Sequence, residues 1–323
     1  MCTAISYKTA CHYFGRNLDL EHRYCESVTI TPRYFPLEYR KASGSDSHYA
    51  MIGMASVIDG YPLYYEATNE HGLSMAGLNF PGNAVYLPAE DNRDNITPFE
   101  FIPWILQQCK TIEQAKCLLK RINIVDIPFS GSIPLSPLHW MIADKTGSIV
   151  VEPMNDGINI YDDPVGVLTN NPTFDFHLQN LSNYLNLTCE EPTNRFSGKV
   201  DLTPYSRGMG AFGLPGDLSS ASRFVRATFT KLNAICGDSE TESVNQFFHI
   251  LGSVAQQKGC VKVGNAYEKT VYSCCCNTDK GIYYYTTYEN RQITGVRLLE
   301  ENINCNALTS FPLSSMQQIR FEN

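Results

Sequence analysis

The stretch that decides the reading runs Met1-Cys2-Thr3-Ala4-Ile5-Ser6-Tyr7-Lys8, then Thr9-Ala10-Cys11-His12, then Tyr13-Phe14-Gly15-Arg16-Asn17-Leu18-Asp19-Leu20. Cys2 to Lys8 alternates as a strand does, and Tyr13 to Leu20 reads as the strand returning beside it. If Met1 is removed, as a small second residue permits, Cys2 carries a thiol and a free α-amine on one residue. An α-amine (ordinary pKa about 7.7–8.0) and a thiol (about 8.5) are matched for proton transfer near neutral pH. The terminal amine can then act as base for its own residue's nucleophile, and no histidine is needed. The bland alternative is that a cysteine at position 2 is an accident of sequence.

Three polar residues, Arg16, Asn17 and Asp19, crowd into a segment headed by Tyr13 and Phe14. Period-two alternation places Arg16 on the opposite side from Asn17 and Asp19 unless the strand bulges or ends there. The functional reading has Asp19 holding the α-amine and Arg16 tuning the thiol by its positive charge. The plain reading is a strand end with a local ion pair.

The 323 residues are 43% hydrophobic and 18% charged, which excludes a disordered chain and permits a substantial core. A formal charge of −8 without basic clusters argues against a nucleic-acid or anionic-membrane partner. The twelve cysteines would suggest a disulfide framework in a short secreted chain. Only Met1 precedes Cys2, which leaves no room for a signal peptide, and no apolar run is long enough to span a bilayer. The expectation is a cytoplasmic protein with mostly free thiols.

Blocks of strands alternate with helical pairs, without the βαβ rhythm of a parallel sheet. Leu63 to Phe80 reads as a hairpin around Asn69-Glu70-His71-Gly72. Thr97-Pro98-Phe99-Glu100 predicts a helix start with a capping box, and Thr111 with Gln114 repeats it. Ser219 or Ser220 is expected to cap a further helix. The order favours two sheets packed together with helices outside, in a single domain spanning residues 1–323. Glu190 to Pro215, rich in Gly, Pro, Ser and Thr, reads as a long excursion rather than a linker.

Several motif-like strings fail on context. Gly208-Met209-Gly210-Ala211-Phe212-Gly213 fits a dinucleotide glycine pattern but runs into Leu214-Pro215-Gly216 instead of opening a helix. The seven histidines show no metal-ligand spacing. Cys274-Cys275-Cys276 would point to alternating faces of a strand, so they favour a buried thiol cluster over a zinc site. Neither a metal nor a cofactor is expected.

The opening Met-Cys-Thr, the segment Tyr13–Asp19, Ala76-Gly77-Leu78-Asn79-Phe80, Leu168-Thr169-Asn170-Asn171-Pro172, Gly213-Leu214-Pro215-Gly216-Asp217 and Ser222-Arg223-Phe224 together resemble the choloylglycine hydrolases. That family contains bile salt hydrolases and penicillin V acylases, among the N-terminal nucleophile hydrolases. The resemblance spans nearly the whole chain, including Tyr283-Tyr284-Tyr285 and Thr287-Tyr288-Glu289-Asn290. It implies an α+β, four-layer αββα sandwich, with two antiparallel sheets between helical layers.

The resemblance also implies roles: Cys2 as nucleophile and base, Arg16 and Asp19 orienting it, Asn79 and Asn170 forming the oxyanion hole, and Arg223 holding the site together. Asn171 competes with Asn170 for its role; Asn170 is taken because it follows the Leu-Thr pair. Asn at position 79 resembles bile salt hydrolases, whereas penicillin V acylases often carry Tyr. Pocket positions of the family map onto Leu18, Ile58, Phe129, Ile133 and Leu138, each of which could equally be a packing residue. The implied reaction is hydrolysis of the amide of glycine- or taurine-conjugated bile acids through a thioester. Penicillin V acylase is the nearest rival, followed by a catalytically silent binding protein and a metal- or redox-sensing protein built on Cys274–Cys276. The family's tetramers imply a homotetramer, with residues 190–213 as the assembly arm.

Overall fold

A computed structural model describes all 323 residues, Met1–Asn323. In chain order the strands are β1 (Cys2–Lys8), β2 (His12–Leu20), β3 (Ser27–Thr31), β4 (Met51–Ile58), β5 (Tyr61–Asn69), β6 (Ser74–Asn79), β7 (Asp94–Ile96) and β8 (Ile122–Ile124). They continue as β9 (Leu138–Asp144), β10 (Gly147–Met154), β11 (Gly157–Asp162), β12 (Val167–Leu168), β13 (Val261–Val263), β14 (Ala266–Asn277), β15 (Ile282–Thr287), β16 (Thr294–Arg297) and β17 (Thr309–Pro312). The helices are α1 (Phe101–Leu106), α2 (Ile112–Leu119), α3 (Phe174–Asn180), α4 (Ser220–Asn233) and α5 (Glu240–Gly252).

One antiparallel sheet runs β12-β1-β2-β14-β15-β16, with β13 added beside β14; the other runs β11-β10-β9-β6-β5-β4-β3-β17. Helices α4 and α5 cover the outer face of the first sheet, and α1 and α2 cover the outer face of the second. The inner faces meet where β1 and β2 lie on β6 and β9. The arrangement is the four-layer αββα sandwich. Between the sheets, Ala4, Leu18, Ile52, Leu78 and Met141 join one core, while Ile102, Ile105, Leu118 and Trp140 close a second beneath α1 and α2. Burial of this apolar area is the main force holding the layers together.

The hairpin of β5 and β6 turns where expected, with Gly72 at φ 87°. Gly15 is required for a different reason: a Cβ there would run into the carbonyl of Cys274 on β14. Cys274, Cys275 and Cys276 are buried along β14, opposite Tyr285, Tyr284 and Tyr283 of β15. Ser219 caps α4, accepting from the Ser222 amide at 3.4 Å. The first helix begins later than its capping signal predicts. The Glu100 carboxylate does reach the Thr97 amide at 2.9 Å, but it also accepts from the Arg40 amide at 2.6 Å. Thr97–Glu100 is thereby held as a turn, and α1 starts at Phe101. No helix is long and apolar enough to cross a membrane.

Candidate active site

Strand β1 pairs with β2 so that Cys2 faces Leu18, Thr3 faces Asn17 and Ala4 faces Arg16. Directly opposed residues of an antiparallel pair share a face. Cys2, Leu18 and Arg16 therefore point between the two sheets, while Thr3, Asn17 and Asp19 point toward the helices. The alternation read from the sequence holds on β2 itself. The irregularity lies in its neighbour β14, where the register shifts between Thr270 and Tyr272. The pairing seats Thr270 opposite Asp19 and Tyr272 opposite Leu18.

On the inner side, the Arg16 guanidinium is fully buried and crosses to the second sheet. Its Nη1 donates to the carbonyls of Tyr65 at 3.2 Å and Gly77 at 2.5 Å. Its Nε lies 3.8 Å from Glu66 Oε2, and Nη2 has no partner in the protein. Burial opposes its charge, but the ionisable side chains of Cys2, Tyr272 and Glu66 beside it outweigh that, and the guanidinium pKa is raised.

On the helix side, Arg223 of α4 reaches through the layer. Nη1 donates to the Cys2 carbonyl at 2.5 Å and to Thr3 Oγ1 at 2.7 Å; Nη2 donates to Asn170 Oδ1 at 2.8 Å. Asp19 is also fully buried, and its carboxylate accepts from Thr270 Oγ1 at 2.6 Å and from Gln256 Nε2 at 3.5 Å. Burial pushes the Asp19 carboxyl above its ordinary pKa, against the pull of Arg223, the amino terminus, Thr270 and Arg16. The α-amine present is that of Met1, and it donates to the main-chain carbonyl of Asp19 at 2.6 Å and to the Glu268 carboxylate.

The nitrogen of Cys2 donates to Asn170 Oδ1 at 2.8 Å. Asn170 follows β12, the strand beside β1, and its Nδ2 donates to the Asn79 carbonyl at the end of β6 at 2.7 Å. One side chain thus ties the backbone of Cys2 to both sheets. The Asn170 peptide is itself pinned: its N–H donates to Ser220 Oγ at 2.8 Å and its carbonyl accepts from His177 Nε2 at 2.8 Å. The carbonyl of Thr169 accepts from His139 Nε2 at 2.9 Å. Burial lowers the His177 pKa to about 4, so the ring is neutral at pH 7 and stacks on Phe224. Asn171, the competing residue, turns away and donates to the Pro81 carbonyl.

The structure therefore gathers Cys2, Arg16, Asp19, Asn79, Asn170 and Arg223 around the amino end. Of the expected pocket positions, Leu18 pairs with Cys2, and Leu138 on β9 pairs with Asn79. Ile58 and Phe129 are linked through Tyr61, which pairs with Ile58 and stands 6.1 Å from the Phe129 ring. Phe129 also packs on Phe99 at 5.2 Å, and Arg40 lies over both rings at 5.7 Å. Ile133 sits in the same loop, half-buried, its amide bonded to the Ser130 carbonyl. His139, His177, Ser220, Thr270 and Gln256, which hold the site residues in place, carry no spacing signal in the sequence. Their contacts exist only through space. No three His, Cys, Asp or Glu side chains gather to hold a metal ion.

Residues 2–311 match the model of the linear amide C-N hydrolases, choloylglycine hydrolase family. A bile salt hydrolase/transferase from Lactiplantibacillus plantarum is 56% identical over 319 residues, covering 98% of each chain. The structure of a C2A mutant of the conjugated bile acid hydrolase from Clostridium perfringens superposes with a TM-score of 0.93 at 38% identity, covering 100% of each chain. A penicillin V acylase from Agrobacterium tumefaciens shares the fold, with a TM-score of 0.73 at 19% identity over 96% of this chain and 90% of its own.

Proposed function

The chain belongs to the choloylglycine hydrolase family, and from that premise we propose that it cleaves the amide bond joining a bile acid to glycine or taurine. After loss of Met1, the Cys2 thiol gives its proton to the α-amine of the same residue, and Sγ attacks the amide carbonyl carbon. The C–N bond breaks as the ammonium returns the proton to the leaving nitrogen, and glycine or taurine departs. Water then attacks the thioester, releasing the bile acid carboxylate and regenerating the thiol.

The observation that carries this reading is the bond from Cys2 N to Asn170 Oδ1. With Oδ1 occupied by Cys2 and Arg223, the Asn170 amide is oriented, and one of its two N–H groups goes to the Asn79 carbonyl. The other is left for the oxyanion, which Asn79 would share. Arg223 and Asp19 orient the backbone of the nucleophile from the helix side, and Arg16 faces the thiol side. The steroid would lie against Leu18 and Leu138 and under the loop of Phe129 and Ile133, with Ile58 at its far edge.

Assembly as a homotetramer through residues 190–213 draws support from the apolar side chains that segment presents to solvent, among them Phe196 at 85% and Tyr205 at 81% exposure. A cytoplasmic location draws support from twelve free cysteines. The test is hydrolysis of taurocholate, glycocholate and penicillin V by the native protein and by Cys2→Ala, with intact mass measured on each. Undiminished bile salt hydrolysis by the variant, or full activity in a chain that keeps Met1, would overturn the mechanism. A higher rate on penicillin V would favour the acylase.

A further inference from the structure

Glu66 belongs to β5, in the sheet that does not carry Cys2, yet its carboxylate lies wholly within the interface between the sheets. Oε2 accepts from the Tyr272 hydroxyl at 2.7 Å, and Oε1 accepts from the Tyr283 hydroxyl at 2.5 Å and from Cys274 Sγ at 3.5 Å. The two tyrosines stand on β14 and β15, so the carboxylate bridges the sheets. A carboxylate whose two oxygens each accept an O–H, with a guanidinium beside it, is arranged as the ionised form. Burial works against that charge, raising its pKa, and Arg16, Tyr283 and Tyr272 pull it back.

Arg16 makes the reverse crossing, from the Cys2 sheet to β5 and β6. Its Nε lies 3.8 Å from Glu66, while Nη1 is fixed on the carbonyls of Tyr65 and Gly77. Its main-chain N–H donates to Cys274 Sγ at 3.3 Å, so Cys274 contacts both members of the pair. A buried cation is costly unless its position and partners are fixed. Nε donates to the Asn17 carbonyl of its own strand at 3.4 Å and Nη1 is directed into the second sheet, so Nη2 is the one guanidinium nitrogen without a protein partner.

We propose that Glu66 is a positioning residue for the reaction at Cys2: held by Tyr272 and Tyr283, its carboxylate fixes the Arg16 guanidinium so that Nη2 stays turned to the face carrying the thiol. The inference rests on Cys2 being the nucleophile. The charged and titratable groups facing this network are Cys2 on β1, Tyr65 on β5, Tyr272, Cys274 and Cys276 on β14, and Tyr283 on β15; Arg223 reaches the backbone of Cys2 from α4.

The test compares Glu66→Gln with the native full-length protein in three measurements. These are kcat and KM on taurocholate, the melting temperature, and the pH profile of iodoacetamide alkylation at Cys2, followed by peptide mass. The expected result is a kcat lowered at least about tenfold with KM within about twofold, and an alkylation midpoint moved to higher pH. The sign is diagnostic. Removing a buried negative charge by itself would ease thiolate formation and move the midpoint to lower pH, whereas displacing Arg16 moves it higher. An unchanged or lowered midpoint overturns the proposal, as does an unchanged kcat. Should Glu66→Gln not fold, Tyr272→Phe and Tyr283→Phe together decide, with a smaller shift to higher pH expected and none overturning it. A native protein that hydrolyses no bile salt overturns the amidase reading, and the alkylation profile still judges Glu66.

Discussion

Arg223 donates to the carbonyl oxygen of Cys2 from a helix that begins more than two hundred residues further along the chain, and the same guanidinium holds Asn170. Replacing it with Gln strands the Cys2 carbonyl, Thr3 and Asn170 in a buried setting, and should lower stability by about 3 kcal/mol or more. Arg223→Lys should recover little, because one ammonium cannot span both acceptors as the planar fork does. Urea unfolding alongside taurocholate turnover checks both, and a stable, active Gln variant would remove Arg223 from the argument.

Asn170→Ala removes the proposed oxyanion donor and the acceptor for the Cys2 nitrogen together. The expected loss is about 10²–10³ in kcat, with KM changed much less. Asn171→Ala, which removes a hydrogen bond to the Pro81 carbonyl, should leave steady-state turnover within about twofold of native. Equal losses in the two variants would reopen the choice between them.

Phe129→Ala should weaken binding of the steroid, raising KM for taurocholate and glycocholate alike. The site loses the ring that packs on Tyr61 and Phe99 and lies under Arg40. A loss of about 1–3 kcal/mol is expected for one large apolar contact. Isothermal titration of taurocholate to the Cys2→Ala protein separates this from any effect on chemistry.

Stability toward acid depends on buried groups with opposing signs. Burial holds His12 and His177 down to about 4, so both are neutral in the fold and take up protons on unfolding. Each costs up to about 1.4 kcal/mol per pH unit as pH falls from about 6.5 to 4. Asp163, pushed up to about 6 by burial, keeps a proton in the fold that the unfolded chain has lost. Between pH about 6 and 4 it offsets roughly one of the two histidines. Asp163→Asn should therefore steepen the acid loss and His12→Gln flatten it. Urea midpoints at pH 7, 6 and 5 would read the slopes, and parallel slopes in all three proteins would refute the assignment.

Replacing Phe196, Tyr205 and Phe212 with Ser removes the most exposed aromatic rings of the 190–213 segment. Sedimentation should then show smaller species, with turnover per chain largely kept. An unchanged tetramer, or a native protein that is already a monomer, would remove the assembly role from this segment.

Much of the fold is legible because its signals are local. Alternation along Cys2–Lys8 and Tyr13–Leu20 sets a pair of strands, and Gly72 closes the hairpin of β5 and β6. The capping signal at Thr97 misplaces the start of α1, because Glu100 is also claimed by the Arg40 amide, sixty residues away in sequence. The six residues expected at the site do converge, but what orders them could not be read along the chain. His177 on the Asn170 carbonyl, Thr270 on Asp19 and Glu66 beside Arg16 are contacts between distant segments with no periodicity to announce them. That Asp19 addresses the helix layer and Arg16 the opposite one follows from alternation, yet which layer holds which partner is set only when the sheets stack.

Because one strand delivers Arg16 to the inside of the sandwich and Asp19 to the outside, the count of residues between them is itself a fixed quantity. Deleting a single residue from β2 between them would turn one of the two through the sheet, stranding a full charge among the apolar side chains of the wrong layer. Exposed surface positions of such a molecule can change at little cost. The spacing from Cys2 to Asp19 cannot, since chemistry and layer order are written in the same eighteen residues.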